Sequence, residues 1–536
     1  MDRREVHSPG VSFFELRDVT LLDQLDKLKT QFGPKEAQRV QALLERASRM
    51  QVRDPETLIR FHELLLFVRA YPHNVVVLRL AQNLLRSFDA RVSQLCERDL
   101  DLSRLEHPDV SGIAGTSVTD TFSFYIVRWL VQHFPAQLSI YWDWFESDNR
   151  LAETWPRFMP LLEEDANVEA NVPYRQWLAA ARGRQPELSW LVERFDKLPL
   201  PDKQKAELYD SQQLYVSWAP RYRSTRTGMR IGVRDVFYHR GPLIQRREIN
   251  LRDELIAPPP KLSGLSLRDG ERALDLAREA STIRYRELYG FTHGDPARVY
   301  HADLGRGVQL FLTGLPAAKR LPLRAYHAAM IYKNGMPIGY FEGLSLFERM
   351  ESGFNLYYTF RDGETAWLYA RILNVMHHYT GVTSFAIDPY QVGYENEEGI
   401  ESGAFWFYRK LGFRSTKRDV LRLVEREEEK IAQRAGYRTS ARTLRKLAES
   451  PMIFELDQNR AGEWDGFQVR QIGLRSQRRK FESLFSLIGD LDRWTAAERQ
   501  LLERVVRAKN AAEETTYLKL MQRHDRLRRQ IIRLGS

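Results

Sequence analysis

Residues 388–399, Asp-Pro-Tyr-Gln-Val-Gly-Tyr-Glu-Asn-Glu-Glu-Gly, put Asp388, Tyr390, Gln391, Tyr394, Glu395, Asn396 and Glu398 on one loop. Carboxylates, phenols and side-chain amides accept hydrogen bonds from an ammonium group, so one reading is a substrate loop that recognises an amine. An acidic surface turn has the same composition. The loop leaves a short run, Ser384 to Asp388, that reads as a strand, and sites in α/β sheets lie beyond the C-terminal ends of strands. A second candidate is basic. Between Arg221 and Arg247 stand eight arginines against one acid, Asp235, with Tyr222, Phe237 and Tyr238 interleaved. That mixture suits a nucleic-acid backbone with stacked bases, and equally a solvated face or a docking face for an acidic partner.

Other residues of catalytic type read as structural. Cys96 lies inside an apolar-periodic helix (Leu84, Leu85, Phe88, Val92, Leu95) and is expected to be a buried, inert thiol. Residues 111–116, Ser-Gly-Ile-Ala-Gly-Thr, lack the phosphate-loop lysine and a preceding strand, so a plain turn is expected. Glu163, Glu164 and Asp165 have no other ligand nearby in sequence and read as a wet helix face. His377 and His378 are adjacent, so they cannot act as a metal pair one helical turn apart. His293 and Asp295 share a loop with no recognisable nucleophile. One cysteine excludes a disulfide within the chain and a thiolate-rich zinc site; no metal is expected.

These residues must be positioned by several cores, because 536 residues exceed what one core holds. The net charge of +10 is uneven: from Arg426 onward there are 24 Lys and Arg against 16 Asp and Glu. No run approaches the ~20 apolar residues of a membrane span, and the first residues carry charges without an apolar stretch. A cytoplasmic location and no membrane partner are expected.

The front of the chain, 1–200, has helical periodicity. Gly33-Pro34 separates two helices, Asp54-Pro55 starts another, and Asn74 caps the next. Residues 201–264 form a basic connecting region ending at Pro258-Pro259-Pro260. Asp269 then opens a helix through Leu274, Ala277, Tyr285 and Leu288, and near residue 308 the period changes from helix-like to strand-like. Strands are expected over Val308–Thr313, Ala325–Lys333, Ile338–Phe347 and Gly353–Phe360, with Asn334-Gly335 as a tight hairpin turn. A helix over Glu364–Tyr379 follows, then the strand at 384, a helix ending in Phe407-Tyr408-Arg409-Lys410-Leu411-Gly412-Phe413, and a closing strand over Asp419–Val424. Residues 426–536 return to basic helical patterns, including Arg478-Arg479-Lys480 and Arg526 to Arg529. The expected class is α+β, multidomain, with a helical N-terminal domain, a mixed α/β centre and a helical C-terminal appendage.

The order hairpin, strand, loop, helix, strand, helix over 265–425 resembles the second half of a GNAT-type N-acyltransferase domain, and Tyr408, Leu411, Gly412 and Phe413 match that family's Tyr-x-x-x-Gly-Phe signature. The whole chain also resembles uncharacterised bacterial proteins, which implies no activity. The GNAT resemblance implies a cleft between two splayed strands that takes acetyl-CoA or another acyl donor and passes the acyl group to a small-molecule or protein amine. It implies Tyr408 as the general acid, with Glu342 and Glu398 as candidate bases. The family's pyrophosphate loop aligns with Arg361, Asp362, Gly363, Glu364, Thr365 and Ala366. Arg361 and Ala366 match it, but Glu364 replaces the middle glycine. A carboxylate there repels pyrophosphate unless it turns away, and it also stabilises a helix N-terminus without any ligand. A GNAT-derived binding module without chemistry, and a nucleic-acid-associated protein using 221–247, are the alternatives.

Overall fold

The computed structural model describes residues 13–98, 100–146, 148–159, 172–475, 491–511 and 513–536. The clusters at 163–165 and 478–480 lie outside the described residues. The chain is mixed α and β and divides into two compact units. One comprises Met1–Pro242, Asp275–Thr292 and Gly335–Pro337; the other comprises Leu243–Leu274, His293–Asn334 and Ile338–Ser536. Among the described residues, no helix is long and apolar enough to cross a membrane.

The first unit is built on helices whose starts follow local chemistry. Asp54 accepts a hydrogen bond from the Thr57 amide at 2.8 Å and opens the helix Pro55–Ala70. Asn74 accepts from the Val77 amide at 2.9 Å and opens Val75–Arg86. Each cap satisfies an amide that the helix itself leaves free, which contributes about 1 kcal/mol. The unit also holds a small antiparallel sheet that the helical reading did not anticipate. Its strands are β1 (Val118–Asp120), β2 (Leu138–Ile140) and β3 (Val216–Trp218), in the order β1-β3-β2. Three residues are too few to show alternation in a sequence. Residues 111–116 are a turn, buried over 111–114: Gly112 and Gly115 have φ of 77° and 93°, and the Thr227 hydroxyl accepts from the Ala114 amide at 2.8 Å. Cys96 corrects its expectation. Phe88, Val92 and Leu95 are buried, but Cys96 is the last residue of its helix, about 100° past Leu95, and is exposed.

The second unit carries a nine-stranded sheet in the order β11-β12-β10-β9-β8-β7-β6-β5-β4. The strands are β4 (Leu262–Gly264), β5 (Val299–Gly305), β6 (Val308–Thr313), β7 (Ala325–Lys333), β8 (Met336–Leu346), β9 (Arg349–Leu356), β10 (Ser384–Ile387), β11 (Arg414–Ser415) and β12 (Met452–Glu455). Between β7 and β8, Asn334 and Gly335 take φ of 48° and 81°, as a type I′ turn requires. β9 and β10 pair in parallel, joined by the helix Thr365–Thr380. That helix stops at Gly381, whose φ of 78° ends it without side-chain strain.

Three expectations are corrected here. The strand expected over Gly353–Phe360 begins at Arg349 and ends at Leu356, and Tyr358–Phe360 form a single 3-10 turn. The closing strand expected over Asp419–Val424 is part of a helix, Arg418–Gln433, burying Val420, Val424 and Glu427 one helical turn apart. The strand that enters the sheet is β12, between β10 and β11, so the stretch after 425 is not wholly helical. Its four residues are buried, and the unalternating pattern Met-Ile-Phe-Glu carries no strand period. The last helix, Asp525–Gly535, is held by Arg528. This buried arginine donates to Glu348 from Nε at 2.8 Å, and the Trp464 indole donates to the same carboxylate at 2.8 Å. The basic cluster at 526–529 is therefore partly internal.

Candidate functional site

β9 and β10 stay together for three residue pairs only, from Ser384↔Arg349 to Ala386↔Glu351. Beyond them β9 runs on to Leu356 beside β8, whereas the chain leaves β10 at Asp388. The strands part, and a cavity of about 260 Å³ fills the gap. Phe354, Asn355 and Leu356 form one wall, and Gln391 stands on the other. Arg361, Thr365, Asn396, Glu398 and Tyr408 complete the polar lining.

The helix Thr365–Thr380 points its N-terminus at this cavity. The amides of Thr365, Ala366 and Trp367 precede the first intrahelical bond, and none has a hydrogen-bond acceptor among the described residues. Together with the helix dipole they favour an anion. The Thr365 hydroxyl donates to the Arg361 carbonyl at 3.0 Å, and Arg361 Nε donates to the Leu356 carbonyl at 3.2 Å. The Arg361 guanidinium pairs with Glu398, so one expected cofactor residue and one expected base hold each other at the cavity mouth.

Glu364 is turned away from the cavity. Its carboxylate is buried, accepts from Arg306 Nε at 2.9 Å and from the Ile244 amide at 3.0 Å, and lies 3.8 Å from Lys333 Nζ. Burial pushes the Lys333 ammonium down to about 7, against the pull of Glu364. Glu364 thus clamps the β5–β6 turn and the end of β7 to the helix start. Gly363 and Ala366 do not line the cavity with their side of the loop.

Tyr408 sits on the short helix Ala404–Arg409, with its ring packed on Tyr369 and Phe413 at 5.7 and 5.6 Å between centroids. Its hydroxyl has no hydrogen-bond partner among the described residues. Burial pushes the phenol well above its ordinary value, so it keeps its proton. The rest of the signature is architectural. Gly412 adopts φ of 99° and ends the helix, with Phe454 3.3 Å from where a Cβ would stand. Phe413 is fully buried behind Tyr408 and donates its amide to the Tyr408 carbonyl at 3.2 Å.

The loop 388–399 is more ordered than its composition suggests. Asp388 accepts from the Tyr390 amide at 2.9 Å and caps the turn Pro389–Val392. Asn396 accepts from the Gly399 amide at 3.4 Å, capping the helix Glu397–Glu401, and donates to the Tyr390 carbonyl at 2.9 Å. Gln391, Asn396 and Glu398 reach the cavity, while Tyr390 and Tyr394 are exposed and Asp388 is occupied with its turn. Glu342 is not on the wall. It takes a hydrogen bond from the Tyr326 hydroxyl, and burial raises its carboxyl. It stands across Gly353 from Gln391: a Cβ on Gly353 would be 3.9 Å from both Glu342 Cβ and Gln391 Nε2. Asn355, Ser402 and Tyr326 were missed; the available signal was a polar group inside an otherwise apolar strand, for Asn355 and Tyr326.

The basic stretch is divided. Arg226 is buried, donating to the Asp109 carbonyl at 2.6 Å and pairing with Glu63 at 3.2 Å. Arg221, Arg223, Arg230, Arg234, Arg240 and Arg247 are exposed. Among the described residues no cluster of His, Cys, Asp and Glu could hold a metal ion. The chain matches no protein-family model, no curated protein and no solved structure.

Proposed function

We propose that the second unit contains a GNAT-type acyl-transfer domain, and that it transfers an acyl group from a CoA-type donor to an amine. The observation that carries this reading is the parting of β9 and β10 around one cavity, with three unpartnered helix-start amides, Arg361 and the Tyr408 hydroxyl at its edge. The strand order β11-β12-β10-β9 around the parting supports the same reading.

A CoA-type donor would supply an activated acyl carbonyl and a thiolate leaving group. The amides of Thr365, Ala366 and Trp367 and the Arg361 guanidinium suit its phosphates, since Glu364 has withdrawn its charge to Arg306 and Lys333. Tyr408 holds a proton at its hydroxyl for the leaving sulfur. Gln391 orients the acceptor at the wall, and the proton that the attacking nitrogen loses passes by way of water to Glu342, which burial raises and which stands across Gly353 from Gln391. Cytoplasmic amines, small or protein-borne, are the expected acceptors.

Calorimetry with acetyl-CoA tests this on the full chain. Saturable binding that weakens about tenfold in Arg361→Ala, a loss of about 1.4 kcal/mol, is expected. Binding without turnover across a panel of amines would make the domain a donor-binding module. No heat from the wild-type protein would end the CoA reading.

A further inference from the structure

Residues 219–242 form a strap on the first unit whose one regular element is the 3-10 turn Tyr222–Ser224. Backbone hydrogen bonds to distant segments tie it down. The Ala219 amide donates to the Gln137 carbonyl at 2.9 Å, Arg226 to Gly112 at 2.8 Å, Ile231 to Gly335 at 2.9 Å and His239 to Pro72 at 3.1 Å. A segment held at four places presents its side chains from a fixed backbone. Arg221, Arg223, Arg230, Arg234 and Arg240 are exposed on it, and none of their side chains has an ion pair or a hydrogen bond among the described residues. Arg226 shows the contrast within the same strap: it is buried and paired with Glu63. The strap holds no lysine and one acid, Asp235.

A second observation places more uncancelled positive charge at the strap. Arg69 is buried and shares a hydrogen bond with Tyr222 of the strap. No acid acts on it, whereas Arg230 does, as a like charge, and burial pushes the Arg69 guanidinium down to about 10. Buried charges are ordinarily matched by a counter-charge. Glu63 is already taken by Arg226, and Asp109 by Arg104. The side chains between the arginines decide what kind of anion fits. The rings of Tyr222, Phe237 and Tyr238 are half-buried, and no large apolar side chain from 219 to 242 is exposed. A membrane surface calls for such apolar anchors, whereas half-open rings suit the faces of unpaired bases. Arginine pairs with phosphate through two N–H groups at once.

We infer that the strap binds single-stranded nucleic acid, with Arg221, Arg223, Arg230, Arg234 and Arg240 on its phosphates and Tyr238 stacking on a base. From Arg230 to Arg240 an extended chain reaches at most ~35 Å, enough to follow several successive phosphates. Phosphate contacts carry no sequence information, so binding is general rather than sequence-specific. This surface lies in the first unit and does not depend on the acyl-transfer reading of the other.

The test is fluorescence anisotropy of a labelled 20-nucleotide oligothymidylate titrated with the full-length protein, with poly-L-glutamate and phosphatidylserine vesicles as competitors. Saturable binding is expected whose affinity falls about 100-fold between 50 and 200 mM NaCl, as five phosphate contacts on a single strand require. Replacing Arg230, Arg234 and Arg240 together by alanine should weaken binding at least tenfold and flatten the salt dependence, with the unfolding midpoint unchanged because all three side chains are exposed and unpaired. Tyr238→Ala should weaken it about fivefold or more, and Tyr238→Phe should restore it, since stacking needs the ring and not the hydroxyl. The inference is overturned if the oligonucleotide does not bind at 50 mM NaCl, if poly-L-glutamate or the vesicles displace it at equal charge concentration, or if binding survives the triple substitution. The salt series and the competitions use the wild-type chain, so they decide the question even if a variant fails to fold.

Discussion

The segments 361–366 and 388–399 border the same cavity and use their acids in opposite ways. In the first, Glu364 is buried and tied to Arg306, Lys333 and the Ile244 amide, so its charge is neutralised inside the protein. In the second, Glu397 and Glu398 stay at the surface, paired with Arg445 and Arg361, and the cavity receives Gln391 and Asn396. An acid in the middle of an anion loop is therefore compatible with anion binding, whereas an acid-rich loop presents mostly neutral donors and acceptors. What separates them is which cation each carboxylate can reach.

The strongest way to break this comparison is Glu364→Gly. It leaves the buried Lys333 and the partly exposed Arg306 without that carboxylate, and a broken buried pair costs about 3–5 kcal/mol. Urea denaturation should show that loss, with no gain in acetyl-CoA affinity. Tighter acetyl-CoA binding at unchanged stability would falsify the turned-away carboxylate.

Tyr408→Phe should act in the opposite sense. Its hydroxyl has no partner among the described residues, so stability should hold, while any acyl-transfer rate should fall about 100-fold, the usual contribution of a general acid. A rate within a factor of two of wild type would remove Tyr408 from the chemistry.

Lys333 makes the Glu364 clamp sensitive to pH. Burial holds its ammonium at about 7 in the folded chain, against ~10.4 when unfolded. Between those values the unfolded chain carries a proton that the folded chain lacks, so stability rises with pH, by up to about 1.4 kcal/mol per unit. Below about 7 both states carry it and the contribution is flat. Urea midpoints at pH 6, 8 and 9.5, taken as wild type minus Lys333→Met, should show the rise above neutrality. A flat difference would mean that the ammonium keeps its proton throughout.

The smallest effect is expected at Glu398→Gln. The pair with Arg361 is partly exposed, and such pairs contribute at most about 1 kcal/mol. Stability should barely move, while acetyl-CoA affinity should rise a few-fold as Arg361 is released. A fall in affinity would show that Glu398 positions Arg361 rather than competes for it.

The strands β6 and β7, the I′ turn and the caps at Asp54 and Asn74 were legible because each is written in a few adjacent residues. β5 and β12 were not. β5 alternates irregularly around Asp303 and Gly305, where its pairing with β6 shifts register, and β12 is four buried residues in a helical context. At the cavity, Arg361 and Tyr408 were picked out by the resemblance to GNAT-type sequences. Asn355 and Tyr326 were not, because one polar residue in a strand has no local signature until its neighbours on the adjacent strands are known.

The sequence by itself determined the local devices of this protein: the period of its long helices, the tight turn at 334–335, the break at Gly381, and the residue types within reach of one loop. Those depend on backbone sterics and on hydrogen bonds between residues a few positions apart. Tertiary structure decided the direction of each charge. Glu364 is drawn to cations 58 and 31 residues earlier in the chain, Arg226 is buried beside Glu63, and Cys96 is exposed although its helix neighbours are not. A buried charge is tolerated only beside its counter-charge, and that partner is brought near by the packing of distant elements rather than by anything written beside it.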